Sequence, residues 1–145
     1  MKIKGGTFAI YKGLEFWIKK IREDDLNVEL STINSSALKL GFYIHSVQKN
    51  GLLYKKKVPK SEISECYKIY VYAIYKGFNC FILGGIDQHH RDIDMINSIE
   101  PMSREMEIEK AKELGFYQWD RNAYMKENVP IEELELYEIR EEYKI

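Results

Sequence analysis

Three motifs in this chain occur twice, in the same order. Ala9-Ile10-Tyr11-Lys12-Gly13 returns as Ala73-Ile74-Tyr75-Lys76-Gly77, and Leu40-Gly41-Phe42-Tyr43 returns as Leu114-Gly115-Phe116-Tyr117. Val58-Pro59, followed by Glu62, Tyr67 and Ile69, returns as Val129-Pro130 followed by Glu133, Tyr137 and Ile139. Chance matches seldom keep both order and spacing. The pattern is that of an internal duplication with a repeat of roughly 65 to 75 residues, longer than most solenoid periods. It divides 145 residues into two modules, 1–69 and 70–145, each near the lower size limit for a self-sufficient core.

Each module reads as strands. Leu14, Phe16 and Ile18 alternate with Glu15, Trp17 and Lys19, so that segment forms the return strand of a hairpin turning at Lys12-Gly13, with the first set inward. Leu26, Val28 and Leu30 alternate in the same way. Asn34-Ser35-Ser36 supplies capping residues for a short helical turn that Gly41 ends, and Asn50-Gly51 marks a further hairpin. Pro59 lacks the amide proton a central strand needs, so 58–63 is a tight turn before the next strand. The segment 65–75 has apolar residues on both faces and no linker composition, and is expected to run from the last strand of one module into the first of the next. The second module has a longer middle, in which Ser103, Glu105, Ile108, Ala111 and Leu114 predict a helix ending at Gly115. The expected fold is mainly β (α+β). It comprises two tandem β-barrel modules with the element order of a Src-homology-3-like barrel and a short helix in each, longer in the second.

The chain carries 45% hydrophobic and 31% charged residues, a globular balance that argues against disorder. No apolar run suits a signal sequence or a membrane span, which points to a cytoplasmic protein. Cys66 and Cys80 lack a CxxC or finger spacing and sit among apolar residues, so both are expected as reduced core thiols of low reactivity. Charge is unevenly spread. Residues 1–64 hold 12 Lys+Arg and 6 Asp+Glu, a balance of +6, whereas residues 65–145 hold 10 and 17, a balance of −7. An acidic second half can meet a basic partner or orient the modules.

Catalytic signatures are missing. Asp87, His89, His90, Asp92 and Asp94 form the densest polar cluster, but adjacent histidines on a strand point to opposite faces and no HExxH-like spacing occurs, so the expectation is a solvated loop and no metal or cofactor. His45 has no nucleophile beside it and is expected to be partly buried and hydrogen-bonded. Gly5-Gly6 and Gly84-Gly85 do not open a helix in a phosphate-loop pattern. Lys55-Lys56-Lys57 beside Tyr43 and Tyr54 suits either nucleic-acid backbone contact or a charged edge strand, and the overall balance favours the edge strand over nucleic acid. Glu127, Glu132, Glu133, Glu135, Glu138, Glu141 and Glu142 crowd the last strands, with Trp119 and Asp120 in a nearby hairpin. Acidic groups around an exposed aromatic suit steered capture of a basic protein, although an ordinary solvated face has the same composition. The final strand, 137–145, offers an edge for pairing between chains, so the oligomeric state stays open.

Tandem β modules with AIYKG, LGFY and VPxxE followed by YxI resemble the small cytosolic immunity proteins that Gram-positive bacteria encode beside polymorphic toxins of the LXG and related types. That resemblance implies a non-enzymatic protein that binds and blocks the catalytic domain of a cognate toxin, encoded by the adjacent gene. The expected toxin-binding residues are Asp87, His89, Asp92, Asp94, Trp119, Asp120, Glu127, Glu132 and Glu135. A different class of function is an adaptor or regulatory module that binds a peptide or small ligand in an aromatic groove lined by Tyr11, Tyr43, Tyr54 and their counterparts.

Overall fold

A computed structural model describes residues 4–19, 21–22, 24–48, 51–83, 94–102, 108–120 and 123–144. The chain divides into two units, one of Gly6–Ile69 with the residues from Arg140 onward, the other of Tyr70–Ile139 with the residues up to Gly5.

In the first unit, β1 (Gly6–Tyr11) and β2 (Leu14–Ile18) form a hairpin. Lys12 and Gly13 both have positive φ, at 50° and 76°, the requirement of a tight two-residue turn whose twist matches its strands. β3 (Asn27–Thr32) pairs with β2 and with β5 (Gly51–Pro59), and β4 (Tyr43–Gln48) pairs with β5. Between β3 and β4 lies a 3-10 turn, Ser35–Leu40, capped by Asn34, whose side chain accepts from the Ser36 amide, and ended by Gly41 at φ 85°. A second 3-10 turn, Lys60–Glu62, follows Pro59 and leads into β6 (Ile63–Tyr75), whose first half pairs with β1.

The second unit repeats this plan. The later half of β6 pairs with β7 (Phe78–Ile82) about a Lys76-Gly77 turn, with φ 46° and 85°. β8 (Met95–Pro101) pairs with β7 and with β10 (Ala123–Pro130), and β9 (Tyr117–Asp120) pairs with β10. Helix α1 (Ile108–Glu113) takes the place of the 3-10 turn, residues 103–107 of the expected helix lying outside the described segments. After the turn Ile131–Glu133, β11 (Leu134–Tyr143) pairs with β6.

The fold is mainly β, an antiparallel sheet of eleven strands with neighbours in the order β4-β5-β3-β2-β1-β6-β7-β8-β10-β9 and β11 joined to β6. This path does not close on itself, which corrects the expected barrels. As expected, β6 is unbroken where the motifs of one copy give way to those of the next.

Each unit has its own core. In the first, Phe16 stacks on Phe42 at 4.8 Å beside Ala9, Tyr11, Leu30 and Ala37. In the second, Tyr75 meets Phe116 edge-on at 5.8 Å beside Ala73, Cys80, Ile99 and Ala111. Cys66 and Cys80 are buried free thiols, as expected. Leu26 is 83% exposed and precedes β3, so the alternation that begins with it holds only from Val28.

Candidate recognition face

Strand pairing decides which side chains of the second unit share a side of the sheet. Tyr72 is opposite Phe81, Phe81 opposite Glu100, Ser98 opposite Glu127, and Met125 opposite Tyr117. Because strand side chains alternate, these residues and Trp119 occupy one face, and Ala73, Tyr75, Cys80 and Ile99 turn to the core on the other. Tyr137 of β11 joins the face, with its ring 5.5 Å from that of Tyr72, and the Tyr72 and Phe81 rings meet edge-on at 6.1 Å. Tyr117 and Trp119 are about half exposed, at 45% and 52%. Tyr117 donates its hydroxyl to Glu127 at 2.8 Å, and that hydrogen bond is the main reason its pKa lies above the ordinary phenol value.

The face is acidic and aromatic. In the segments 70–75, 78–82, 95–101, 117–120, 123–130 and 134–139 the one basic residue is Lys126, which turns inward. Its ammonium donates to the Leu114 carbonyl at 3.0 Å and lies 5.1 Å from the centroid of the Tyr75 ring.

The first unit has the same framework with the opposite sign. Lys56, seventy residues before Lys126, donates to the Leu40 carbonyl at 2.6 Å and to the Tyr11 hydroxyl at 3.1 Å. Lys57 therefore corresponds to Glu127, and His45 to Trp119. Lys55 pairs with Glu29 at 3.0 Å, and its hydrogen bond holds the Glu29 carboxyl below the usual carboxylate range. Strand β5 lies between β3 and β4, so the three lysines are not on an edge strand. His45 is exposed, with an edge contact to Tyr43 at 6.3 Å, which corrects its expected partial burial. Tyr11 and Tyr54 are core residues and Tyr43 is exposed, so these three do not line one aromatic groove.

The structure brings together only part of the expected set. Trp119 and Glu127 share the face, and Glu135 precedes Tyr137 by two residues on β11. Asp94 and Glu132 are exposed at one end of the sheet, where the Ile131 amide donates to the Asp94 carbonyl at 2.9 Å. Asp87, His89 and Asp92 lie outside the described residues, as does the side chain of Asp120. Glu132 and Glu133 belong to a turn instead of a strand. The sequence reading missed Tyr72, Phe81, Glu100 and Tyr137; the signal for them was the strict alternation through the AIYKG and YxI motifs. Among the described residues, no three His, Cys, Asp or Glu side chains are grouped as metal ligands would be, and no helix is long and apolar enough to cross a membrane.

The chain belongs to the family described as Uncharacterised conserved protein UCP033725. The family model matches residues 3–145 and so takes in both copies of the repeat. No curated protein matches the chain, nor does any solved structure. This UCP033725 member repeats the partly buried frame of Tyr11, Lys56 and Leu40 as Tyr75, Lys126 and Leu114, with different outer residues beside it.

Proposed function

We propose that this protein is a cytoplasmic immunity protein that binds and blocks the catalytic domain of a cognate toxin encoded by the adjacent gene, with no chemistry of its own. The observation that carries the reading is the face with Trp119, Tyr117 and Phe81 exposed among Glu100 and Glu127, on strands whose one basic side chain turns inward. Carboxylates steer a basic partner and raise its on-rate, while half-exposed aromatics supply the area that holds it. The change from Lys57 to Glu127 on an otherwise repeated framework fits selection acting on the surface, where recognition takes place. The repeated order of elements further supports descent of each unit from a small Src-homology-3-like module whose sheet stays open.

The test is to mix the purified protein with the product of the adjacent toxin reading frame and measure both complex formation and toxin activity. A stable complex with loss of toxin activity supports the reading, and the absence of either overturns it.

A further inference from the structure

One aromatic site on the outer side of the first unit already holds an arginine. The Arg140 guanidinium lies 3.6 Å from the centroid of the Tyr67 ring, donates from Nε to its neighbour Glu142 at 2.5 Å and lies 3.9 Å from Glu65 across the strands, and the Tyr67 hydroxyl bonds Glu15. Phe8 stacks on the same Tyr67 ring at 5.9 Å, and Phe8, Trp17 and Tyr67 are all buried.

Every one of these groups except the arginine and its neighbour Glu142 has a counterpart in the second unit. By the seventy-residue step, Glu65 and Tyr67 become Glu135 and Tyr137; by the sixty-four-residue step, Phe8, Glu15 and Trp17 become Tyr72, Asn79 and Phe81. The contacts follow. Tyr137 donates to Asn79 at 3.2 Å as Tyr67 does to Glu15, and Tyr72 packs on Tyr137 as Phe8 does on Tyr67. Among the described residues, however, no cation lies over Tyr72 or Tyr137. Phe81 and Ile139 beside them are 42% and 49% exposed.

We infer that Tyr72, Tyr137 and Glu135 form an open receptor for an arginine side chain of a basic partner protein, as Arg140 occupies the equivalent site built on Tyr67 and Glu65. The inference rests on the immunity reading for the identity of the partner, and on geometry for the chemistry of the contact. A planar guanidinium can stack on a tyrosine face and still reach a carboxylate with its N–H groups, which an ammonium does less well. Glu135, two residues before Tyr137, and Glu100, opposite Phe81, give the surroundings the charge that such a group requires.

The full chain would be titrated with a tetra-arginine peptide and, separately, a tetra-lysine peptide, following the Tyr72 and Tyr137 ring resonances by NMR. The arginine peptide is expected to shift both rings and to bind more tightly than the lysine peptide. Tyr137→Leu and the near-isosteric Glu135→Gln should each weaken its binding roughly threefold to tenfold, the scale of one exposed cation–π contact or one charge-assisted hydrogen bond. Tyr137→Phe, which keeps the ring, should bind like the parent. Equal affinity for the two peptides, or unchanged arginine binding by both Tyr137→Leu and Glu135→Gln, would overturn the site. Failure here is distinguishable from failure of the immunity reading: a toxin domain captured undiminished by Tyr137→Leu removes this site alone, whereas arginine binding without any toxin complex removes only the toxin.

Discussion

Lys126 closes the end of helix α1 by donating to the Leu114 carbonyl at 3.0 Å. The backbone there already satisfies two of the helix's terminal carbonyls, since the Gly115 amide bonds Lys112 and the Phe116 amide bonds Ala111. This is a Schellman-type ending with Gly115 in the left-handed region at φ 88°, and it leaves the Leu114 carbonyl for a side chain to satisfy. The first unit solves the same problem with Gly41, Phe42 and Lys56. A polar contact is thus reproduced in both copies, next to a surface position that changed sign from Lys57 to Glu127.

Replacing Lys126 by Met keeps most of the apolar stem and removes the donor. The Leu114 carbonyl would then keep only the long 3.5 Å hydrogen bond from the Tyr75 hydroxyl in place of its charged partner, and the loss of stability is expected to be about 1–3 kcal/mol. Urea unfolding followed by circular dichroism measures it. A change within error of zero would mean that the Tyr75 hydroxyl and water replace the ammonium at no cost.

Gly115 tests the same contact from the other side. A Cβ at this position would lie 2.6 Å from Lys126 Nζ, whereas one at Gly77 would meet nothing within 4 Å, although both residues have φ near 85°. Gly115→Ala should therefore destabilise more than Gly77→Ala, whose penalty is the backbone strain alone, about 1 kcal/mol. In the double variant with Lys126→Met the excess should shrink, because the clash and the lost hydrogen bond share one lysine. Strict additivity in the thermodynamic cycle would count against the contact.

Much of this frame was legible in the sequence because the repeated motifs impose backbone demands. Lys-Gly turns need positive φ, Gly41 and Gly115 stop helical turns, and Asn34 caps one, so each announces itself locally. Closure of the sheet was not legible, since it depends on pairing between strands far apart in sequence, for which no local residue speaks. Among Lys55, Lys56 and Lys57 the charge pattern hid the inward lysine, and only the alternation of β5 shows that Lys56 turns toward Tyr11. Trp17 was expected outward and is buried, because the outer side of the first unit packs Phe8, Tyr67 and Arg140 into a layer of its own.

The two thiols should be silent in the native state. Burial pushes the Cys80 thiol up to about 11 and also raises that of Cys66, so neither offers thiolate at neutral pH. Ellman's reagent at pH 8 is expected to find no reactive thiol in the folded protein and two after unfolding in urea. Prompt reaction of the native protein would show that one of the cores opens locally.

Glu29 gives the first unit a pH dependence of known sign. Its folded pKa is depressed, chiefly by the hydrogen bond from Lys55, so the contribution to stability is present above the unfolded carboxylate pKa and is lost as pH falls through the folded one. The window therefore lies in the acid range, below about pH 4.5. The pair is partly solvated and its effect is modest. Lys55→Met should flatten the fall in the urea midpoint between neutral and acid pH relative to the parent. An unchanged acid limb would show that the pair adds nothing.

The proposed recognition face is tested by reversing a charge at a position that the first unit has already filled with the opposite one. Glu127→Lys places on β10 the residue type that Lys57 supplies on β5, so the framework should tolerate it and stability should move by no more than about 0.5 kcal/mol plus the loss of the Tyr117 hydrogen bond. Tyr117 would lose the acceptor that holds its pKa up, and its phenol resonance should titrate at lower pH than in the parent. Against the toxin domain of the proposed function the effect should be large, because a basic partner would now meet a like charge beside Trp119 and both its on-rate and its affinity would fall. Trp119→Ala should mainly speed dissociation, the behaviour of an aromatic anchor. Surface plasmon resonance separates the two: a slower on-rate for Glu127→Lys with a faster off-rate for Trp119→Ala identifies this face as the binding surface, while wild-type kinetics for both variants would exclude it.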